Sequence, residues 1–280
     1  MPVQIPTFGE ILTVSQGLGA DSCAPGLWRG LVGAWPLQEP GGLTAYDVSG
    51  YHNDGTLTGM DPATDHVVTP MGRALDFDGN NDYVLCPTAK GAPTTGPVSL
   101  AAWIYCRSLA DRRSILSING GASAGYRIYV DVTTGDLVYL LLGVGGYTFS
   151  VADPIPPNTW THVALVSTGN SRTATAYIHP LGSAGTSETK AIGNTAGTPT
   201  EIAIGTRYSA SVAQNLNGQL VNPCVWNRAL LPSEVLRLYT DPWEMHTLRR
   251  RVQVRGTEAG GATIRWPWQQ RRHRRMAGVS

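Results

Sequence analysis

The chain has 280 residues and a formal net charge of +1, and 42% of its residues are hydrophobic while only 15% are charged. Together with 33 Gly and 19 Pro, this composition is typical of a turn-rich globular protein and excludes a disordered chain. No segment reaches the ~18 consecutive apolar residues of a membrane span, and the first ten residues lack the basic start and apolar core of a secretory signal. We therefore expect no membrane partner and a start in the cytoplasm.

The small net charge conceals two oppositely charged parts. Residues 1–245 carry 12 basic and 19 acidic side chains, net −7, whereas residues 246–280 carry nine Arg and one Glu, net +8. The C-terminal segment is therefore electrostatically separate from the rest of the chain.

Short strand-like segments follow one another along the chain, each bounded by Gly, Pro, Asn or Asp. Eleven are predicted: Leu31–Leu37, Arg73–Phe77, Asp82–Cys86, Val98–Cys106, Ser114–Ile118, Tyr126–Val132, Leu137–Leu142, Trp160–Ser167, Thr173–Ile178, Glu201–Gly205 and Leu216–Trp226. One short helix is predicted over Pro232–Tyr239, with Pro at its start and Asp241-Pro242 after its end. Val98–Cys106 is apolar on both faces and should be a central strand. The pattern predicts an all-β fold, a two-sheet antiparallel sandwich.

The four cysteines lie far apart in the sequence. Cys23, Cys86, Cys106 and Cys224 form no C-x-x-C pair and have no His at zinc-ligand spacing, so a zinc site is not expected. Two disulfides are arithmetically open, with three connectivities. Free, mostly buried thiols are the simpler interpretation for a chain of this size.

Seven short motifs occur in an order that resembles the laminin-G-like (concanavalin-A-like) jelly-roll domains. They are Ala45-Tyr46-Asp47-Val48-Ser49-Gly50 with Asn53-Asp54-Gly55-Thr56-Leu57, Gly72-Arg73-Ala74-Leu75-Asp76-Phe77-Asp78-Gly79, Asp82-Tyr83-Val84, Leu100-Ala101-Ala102-Trp103-Ile104, Trp160-Thr161-His162-Val163-Ala164, Ile204-Gly205, and Asn227-Arg228-Ala229-Leu230 with Leu238-Tyr239. The resemblance implies a jelly-roll sandwich of two curved antiparallel sheets in a family of glycan- and protein-binding modules, often with a bound calcium ion. The domains are then an N-terminal arm over 1–29, the laminin-G-like domain over 30–240 and an Arg/Trp-rich tail over 241–280.

One stretch departs from the family pattern. Where relatives carry an acid before the Asn-Arg-Ala-Leu motif, the segment Leu216–Trp226 has none, and it contains Pro223. Because proline cannot donate to a strand ladder, Pro223 predicts an edge or bulged position.

Each candidate site residue also has a structural interpretation. The resemblance implies that Asp47 and Asn53 could hold calcium, and the alternative is an Asx-rich turn without an ion. Jelly-roll glycosidases use a Glu-x-Asp-x-Glu triplet, which is missing, and Asp76-x-Asp78 falls at a hairpin turn. His162 lies in a structural strand and is expected to be packed. We therefore predict no catalytic or cofactor-binding residues and a protein that is not an enzyme.

Surface aromatics on a sandwich can stack on sugar rings. Trp28, Tyr51, Tyr147 and Tyr208 lie in or beside predicted loops. Position alone does not separate such platforms from core residues, so none is assigned as a site.

The basic tail interleaves arginine with tryptophan. The residues expected to anchor a partner are Arg249, Arg250, Arg251, Arg265, Trp266, Trp268, Arg271, Arg272, Arg274 and Arg275. Such a segment suits an acidic protein surface or the phosphates and bases of a nucleic acid, and the third interpretation is an inert, solvated tail.

Two stretches resemble laminin-G-like proteins encoded in tailed-phage and environmental viral genomes: Ala24–Trp35, which leads into the sandwich, and Tyr239–Trp243, which leads out of it into the basic tail. This predicts a virion structural protein, either a capsid decoration or a tail-associated subunit, made in the host cytoplasm. Its partners would be capsid or tail subunits, further copies of itself, a host-surface glycan, or nucleic acid through the tail. The alternatives are a stand-alone lectin-like module, secreted or at the cell surface, and a glycan hydrolase or lyase.

Overall fold

The computed structural model describes residues 25–119, 125–132, 134–142, 145–150, 154–169, 173–193, 198–207 and 214–246. The strands are β1 Leu31–Ala34, β2 Thr44–Ala45, β3 Gly55–Thr58, β4 His66–Thr69, β5 Gly72–Asp78, β6 Tyr83–Cys86, β7 Val98–Cys106, β8 Arg113–Asn119, β9 Gly125–Val130, β10 Leu137–Leu141, β11 Gly145–Phe149, β12 Trp160–Ser167, β13 Thr173–Pro180, β14 Thr186–Ala191, β15 Glu201–Ile204 and β16 Asn217–Trp226. The helices are α1 Pro25–Trp28 and α2 Pro232–Thr240, followed by a 3₁₀ turn over Glu244–His246. The partner-anchoring residues predicted between Arg249 and Arg275 lie outside the described residues.

Two antiparallel sheets form the sandwich that the sequence predicts. Sheet A has the order β14-β13-β12-β7-β16-β5-β4, with β1 also paired to β16, and sheet B has the order β11-β10-β9-β8-β15-β6-β3-β2. The all-β, jelly-roll-like fold class is confirmed. No helix in the described part of the chain is both long and apolar enough to span a membrane.

All eleven predicted strands are present, but the structure adds five that the sequence analysis missed, namely β2, β3, β4, β11 and β14. Four of these are the outermost strands of the two sheets, and β3 is next to an edge. Edge strands carry polar residues, as the alternately half-buried and exposed TSETKA of β14 does, so they lack the apolar pattern on which the prediction depended.

Strand β16 is central and bulged. Its first half pairs with β5 through Asn217–Leu220 and its last residues pair with β1. The register against β7 shifts between Val221 and Cys224, and Asn222 there adopts a φ of +51°. Pro223 therefore lies in a bulge, as its missing N–H predicted.

The centre of sheet A is covered on both faces. Leu100, Ala102 and Ile104 of β7 pack into the core between the sheets, while Trp103 packs outward among residues of α1, α2 and the 3₁₀ turn. This second apolar layer explains why Val98–Cys106 is apolar on both faces, and the strand is central as predicted.

The outer layer includes residues on both sides of the predicted 30–240 domain. Leu27 is completely buried before it, and Trp243 and Met245 are buried after it. The indole Nε1 of Trp226 donates to the Leu27 carbonyl at 2.6 Å and so holds Leu27 in place.

The described cysteines are free thiols, in agreement with the simpler of the two interpretations of the sequence. Cys86, Cys106 and Cys224 are all buried and unbridged. Burial raises the pKa of the Cys106 thiol to about 12, so this group is an inert part of the core.

Candidate functional site

The connection between β2 and β3, residues 46–54, is held by one carboxylate. Asp47 Oδ1 accepts hydrogen bonds from the backbone N–H groups of Ala34 and Ser49, both at 2.9 Å. Its Oδ2 accepts from the Ser49 hydroxyl at 2.8 Å and from the Asn53 N–H at 2.9 Å. A single buried side chain thus ties both ends of this segment, the 46–54 loop, to β1.

Asn53 completes the attachment of the 46–54 loop to its surroundings. Its Nδ2 donates to the carbonyls of Val32 at 2.9 Å and Lys90 at 3.1 Å. Its Oδ1 accepts from the Thr88 hydroxyl at 3.0 Å and from the Lys90 N–H at 2.9 Å. Because every donor and acceptor of this fully buried amide is used, the backbone of the loop is fixed in one conformation.

These hydrogen bonds bear on the calcium hypothesis for Asp47 and Asn53. The side-chain oxygens of both residues already accept from protein donors, so they offer no vacant ligand to a cation in this arrangement. Within the described ranges, no group of three or more His, Cys, Asp or Glu side chains comes together to hold a metal. The geometry corresponds to the Asx-rich turn, and calcium binding here stays a prediction.

The rigid 46–54 loop presents two aromatic rings to solvent. Tyr46 is 42% exposed and Tyr51 is 39% exposed. No other Phe, Trp or Tyr side chain in the described part of the chain is as exposed. The Tyr51 ring lies against the backbone of Gly91, where an added Cβ would be 2.4 Å from ring atom Cε1. Lys90 extends its ammonium to within 3.5 Å of the His52 carbonyl. The loop therefore displays apolar ring faces beside polar groups.

Two carboxylates lie at the base of the same loop. Glu39 Oε1 accepts from the Tyr46 N–H at 3.0 Å, and Asp54 Oδ1 accepts from the Asp47 N–H at 2.8 Å. Glu39 is buried, and its burial raises the pKa to about 7, with a contribution from the negative charge of Asp54. Sequence reasoning missed Glu39 because a single acid in an irregular segment forms no motif.

The other aromatics considered from the sequence have structural partners or lie outside the described residues. Trp28 is half-buried and donates from Nε1 to the Met245 carbonyl at 3.0 Å. The Tyr147 hydroxyl accepts from the Gly193 N–H at 2.7 Å. Tyr208 is among the residues that are not described. Tyr51 is the member of this set that the structure places at the surface on a fixed loop.

The acids of the Asp76-x-Asp78 pair hold structure. Asp76 forms an ion pair with Arg107, while Asp78 Oδ1 accepts from the Asn80 N–H at 2.7 Å in the turn after β5. These contacts agree with the turn interpretation.

His162 is packed, as expected for its strand. It is 2% exposed and lies 5.5 Å from the Trp103 ring and 6.2 Å from the His179 ring, between centroids. Burial lowers its pKa to about 3, and His179 adds to the shift. The imidazole is neutral at physiological pH.

Comparison with known proteins identifies the family. The laminin-G-type family model, described as the concanavalin A-like lectin/glucanases superfamily, matches residues 78–236, which is more than half of the chain. A search of curated proteins finds no match.

Several solved structures share the fold at low sequence identity. Domain 4 of the GH43 extracellular arabinanase AbnA from Geobacillus stearothermophilus, in complex with arabinotriose, is 18% identical with a TM-score of 0.55, covering 74% of this chain and 97% of that one. Trypanosoma rangeli sialidase in complex with sialic acid is 16% identical with a TM-score of 0.55, covering 89% of this chain but only 37% of the sialidase. A structure of botulinum neurotoxin type C, a toxin whose cell entry depends on two ganglioside molecules, is 15% identical with a TM-score of 0.51. The match covers 75% of this chain and 51% of the neurotoxin chain.

The prediction that the protein is not an enzyme is wrong, because it excluded catalysis on the ground of one missing motif. Sialidases and a domain of an arabinanase are among the structures that share the fold, so a missing Glu-x-Asp-x-Glu triplet does not rule out catalysis. These matches are partial and distant, and the fold also occurs in binding domains such as that of botulinum neurotoxin serotype D. Together, the fold and the family match show that this chain belongs to the concanavalin A-like lectin/glucanase superfamily, as its laminin-G-like motifs predicted.

Proposed function

We propose that the chain is a glycan-binding domain that binds saccharides on the 46–54 loop. The observation that carries this proposal is the exposure of Tyr46 and Tyr51 on a loop whose backbone Asp47 and Asn53 fix. A ring held in place before binding loses little conformational freedom when a sugar stacks on it, so more of the contact energy remains as affinity.

The comparisons support a saccharide as the ligand class. The arabinanase domain that this chain matches over 97% of its length was solved with arabinotriose, and the neurotoxin depends on gangliosides. Neither match transfers a ligand to this chain. Both make a panel that includes arabino-oligosaccharides and ganglioside headgroups the appropriate starting point.

The test is calorimetric titration of the purified full chain with that panel. For a saccharide that binds, we expect Tyr51→Ala to weaken the affinity at least tenfold and Tyr46→Ala to weaken it less, because Gly91 backs only the Tyr51 ring. Val68→Ala is the control, since Val68 is 79% exposed but lies in β4 at the edge of sheet A. Equal affinities of Tyr51→Ala and the native chain would refute this site.

Glycan hydrolysis is a second candidate, favoured by the two carboxylates beside the loop. A glutamic acid with a pKa of about 7 can donate a proton at neutral pH, and a neighbouring carboxylate can serve as base or nucleophile. The test is release of reducing ends from the same panel. We expect release by the native chain to be lost in Glu39→Gln and Asp54→Asn. No release by the native chain would refute hydrolysis.

The proposal extends to a virion subunit anchored by its basic tail. The support is the charge difference between residues 1–245 and 246–280, which suits attachment of the tail to an acidic protein surface. We expect the full chain to co-migrate on size exclusion with particles built from capsid or tail proteins encoded beside it. A chain ending at Leu248 should stay folded and not co-migrate. Co-migration of both forms, or of neither, would refute the anchoring role.

A further inference from the structure

A buried arginine lies on the outer face of sheet B, away from the 46–54 loop. Arg127 is in the middle of β9, opposite Ser117 of β8 and Leu140 of β10. Its sequence neighbours Tyr126 and Ile128 point into the core between the sheets, so Arg127 points to the opposite face. Its side chain is nevertheless only 2% exposed.

The guanidinium of Arg127 is incompletely satisfied. Its Nη1 donates to Gln214 Oε1 at 2.7 Å, and its Cζ lies 4.6 Å from the centroid of the Tyr129 ring. Its Nε is buried and has no acceptor in the described part of the chain. Since a buried donor without an acceptor is costly, this nitrogen is suited to an additional partner.

No acidic side chain of the described residues forms an ion pair with Arg127. Burial lowers the pKa of Arg127 to about 10, and the positive charges of Arg207 and Arg112 add to this lowering, while Tyr129 opposes it. The carboxylate of Asp131 is 3.4 Å from Nε of Arg112, so it forms an ion pair with Arg112 and not with Arg127. A buried cation among other cations requires compensation that these residues do not supply.

A further polar atom on the same face lacks a partner in the described part of the chain. Ser114 of β8 lies opposite Tyr129 of β9. Its buried hydroxyl makes no hydrogen bond among the described residues. Three residues further along β8, the Ser117 hydroxyl donates to the Thr206 carbonyl at 3.0 Å. Ser114 is therefore a free hydroxyl donor within one diagonal cross-strand spacing of Arg127.

We propose that Arg127 and Ser114 form a second binding site, which takes an oxyanion group such as a carboxylate or sulfate. A planar guanidinium offers two parallel N–H donors that match two oxygens of such a group, and the serine hydroxyl adds a third donor. Strands β8, β15 and β6 separate β9 from β3, where the 46–54 loop ends. The site is therefore independent of the proposed saccharide loop.

The experiment titrates the full chain with sodium sulfate, sodium phosphate, a galacturonic acid trisaccharide and the neutral galactose trisaccharide, all at constant ionic strength. We expect saturable binding of the acidic probes, with affinity at least tenfold weaker in Arg127→Gln and unchanged in Arg73→Gln of β5. Binding of the acidic trisaccharide tighter than of free sulfate identifies a saccharide as the source of the oxyanion, while tighter sulfate binding identifies a free ion. No saturable binding of any acidic probe, or equal affinity in Arg127→Gln, would overturn the site.

Two further measurements keep the test decisive. If Arg127→Gln does not fold, hydrogen exchange of the native chain replaces it: saturating sulfate should slow exchange in β9 more than in β12 of sheet A, and equal slowing overturns the proposal. Tyr51→Ala should bind sulfate like the native chain. The two sites can therefore fail separately.

Discussion

Glu39 should make the stability of the protein fall as the pH rises. Burial raises its pKa from 4.5 to about 7 in the folded state, so the folded protein holds this proton more tightly than the unfolded chain does. The stabilising contribution is full below pH 4.5 and is lost as the pH rises through about 7. At about 1.4 kcal/mol per pKa unit, the shift corresponds to about 3 kcal/mol of unfolding free energy.

Glu39→Gln isolates this contribution because glutamine resembles the protonated acid and still accepts from the Tyr46 N–H. Urea unfolding followed by tryptophan fluorescence from pH 4.5 to 8.5 should give nearly equal stabilities at the acidic end. The variant should be more stable by about 3 kcal/mol at the alkaline end. Titration of the buried His162 and His246 cancels in the difference. The control is Asp111→Asn, at an exposed acid. A Glu39→Gln variant with the same pH profile as the native chain would refute the reasoning.

Three further predictions concern the framework. Asp47→Ala should lower the unfolding free energy by about 4 kcal/mol, because four donors lose their acceptor; a loss below roughly 1 kcal/mol by urea titration would contradict the rigid-loop account. Gly205→Ala should cost about 2 kcal/mol or more, since φ is +79° and the new Cβ would lie 2.4 Å from Cε1 of Phe77; an unchanged melting temperature would be inconsistent with this. Glu234→Gln should cost about 2 kcal/mol at pH 7 by weakening the 2.7 Å ion pair with Arg228 that fixes α2. Against the opposing effect of burial, hydrogen bonds from Arg228 and from the Leu231 N–H lower the Glu234 pKa from 4.5, so the difference in stability between the native chain and the variant should shrink as the pH falls below 4.5; a difference that is the same at pH 7 and pH 3 would argue against the pair.

The interior strands could be predicted because the pattern of their apolar residues shows which faces are buried. Val98–Cys106 has apolar residues on both faces, and the structure buries one face between the sheets and the other under α1 and α2. From its missing N–H alone, Pro223 predicted an edge or a bulge, and the structure has the bulge. The polar edge strands, such as β14, leave no such pattern, since solvent covers one of their faces.

The candidate sites depended on contacts between distant parts of the chain. The motif around Asp47 and Asn53 is visible in the sequence, but its role as a fixed support depends on β1 and on the segment Thr88–Lys90, which lies more than 30 residues away. Likewise, the sequence shows Arg127 in a strand without indicating that its neighbours are arginines and not acids.

The sequence by itself therefore determined the sandwich, its central strands, the helix α2 and the family, because alternation, turn residues and short motifs are local properties. Only the tertiary structure decided which groups lose water and which neighbours they meet. The exposed Tyr51, the raised pKa of Glu39 and the uncompensated Arg127 follow from burial and from charges brought together across strands, and neither property is encoded in any single segment.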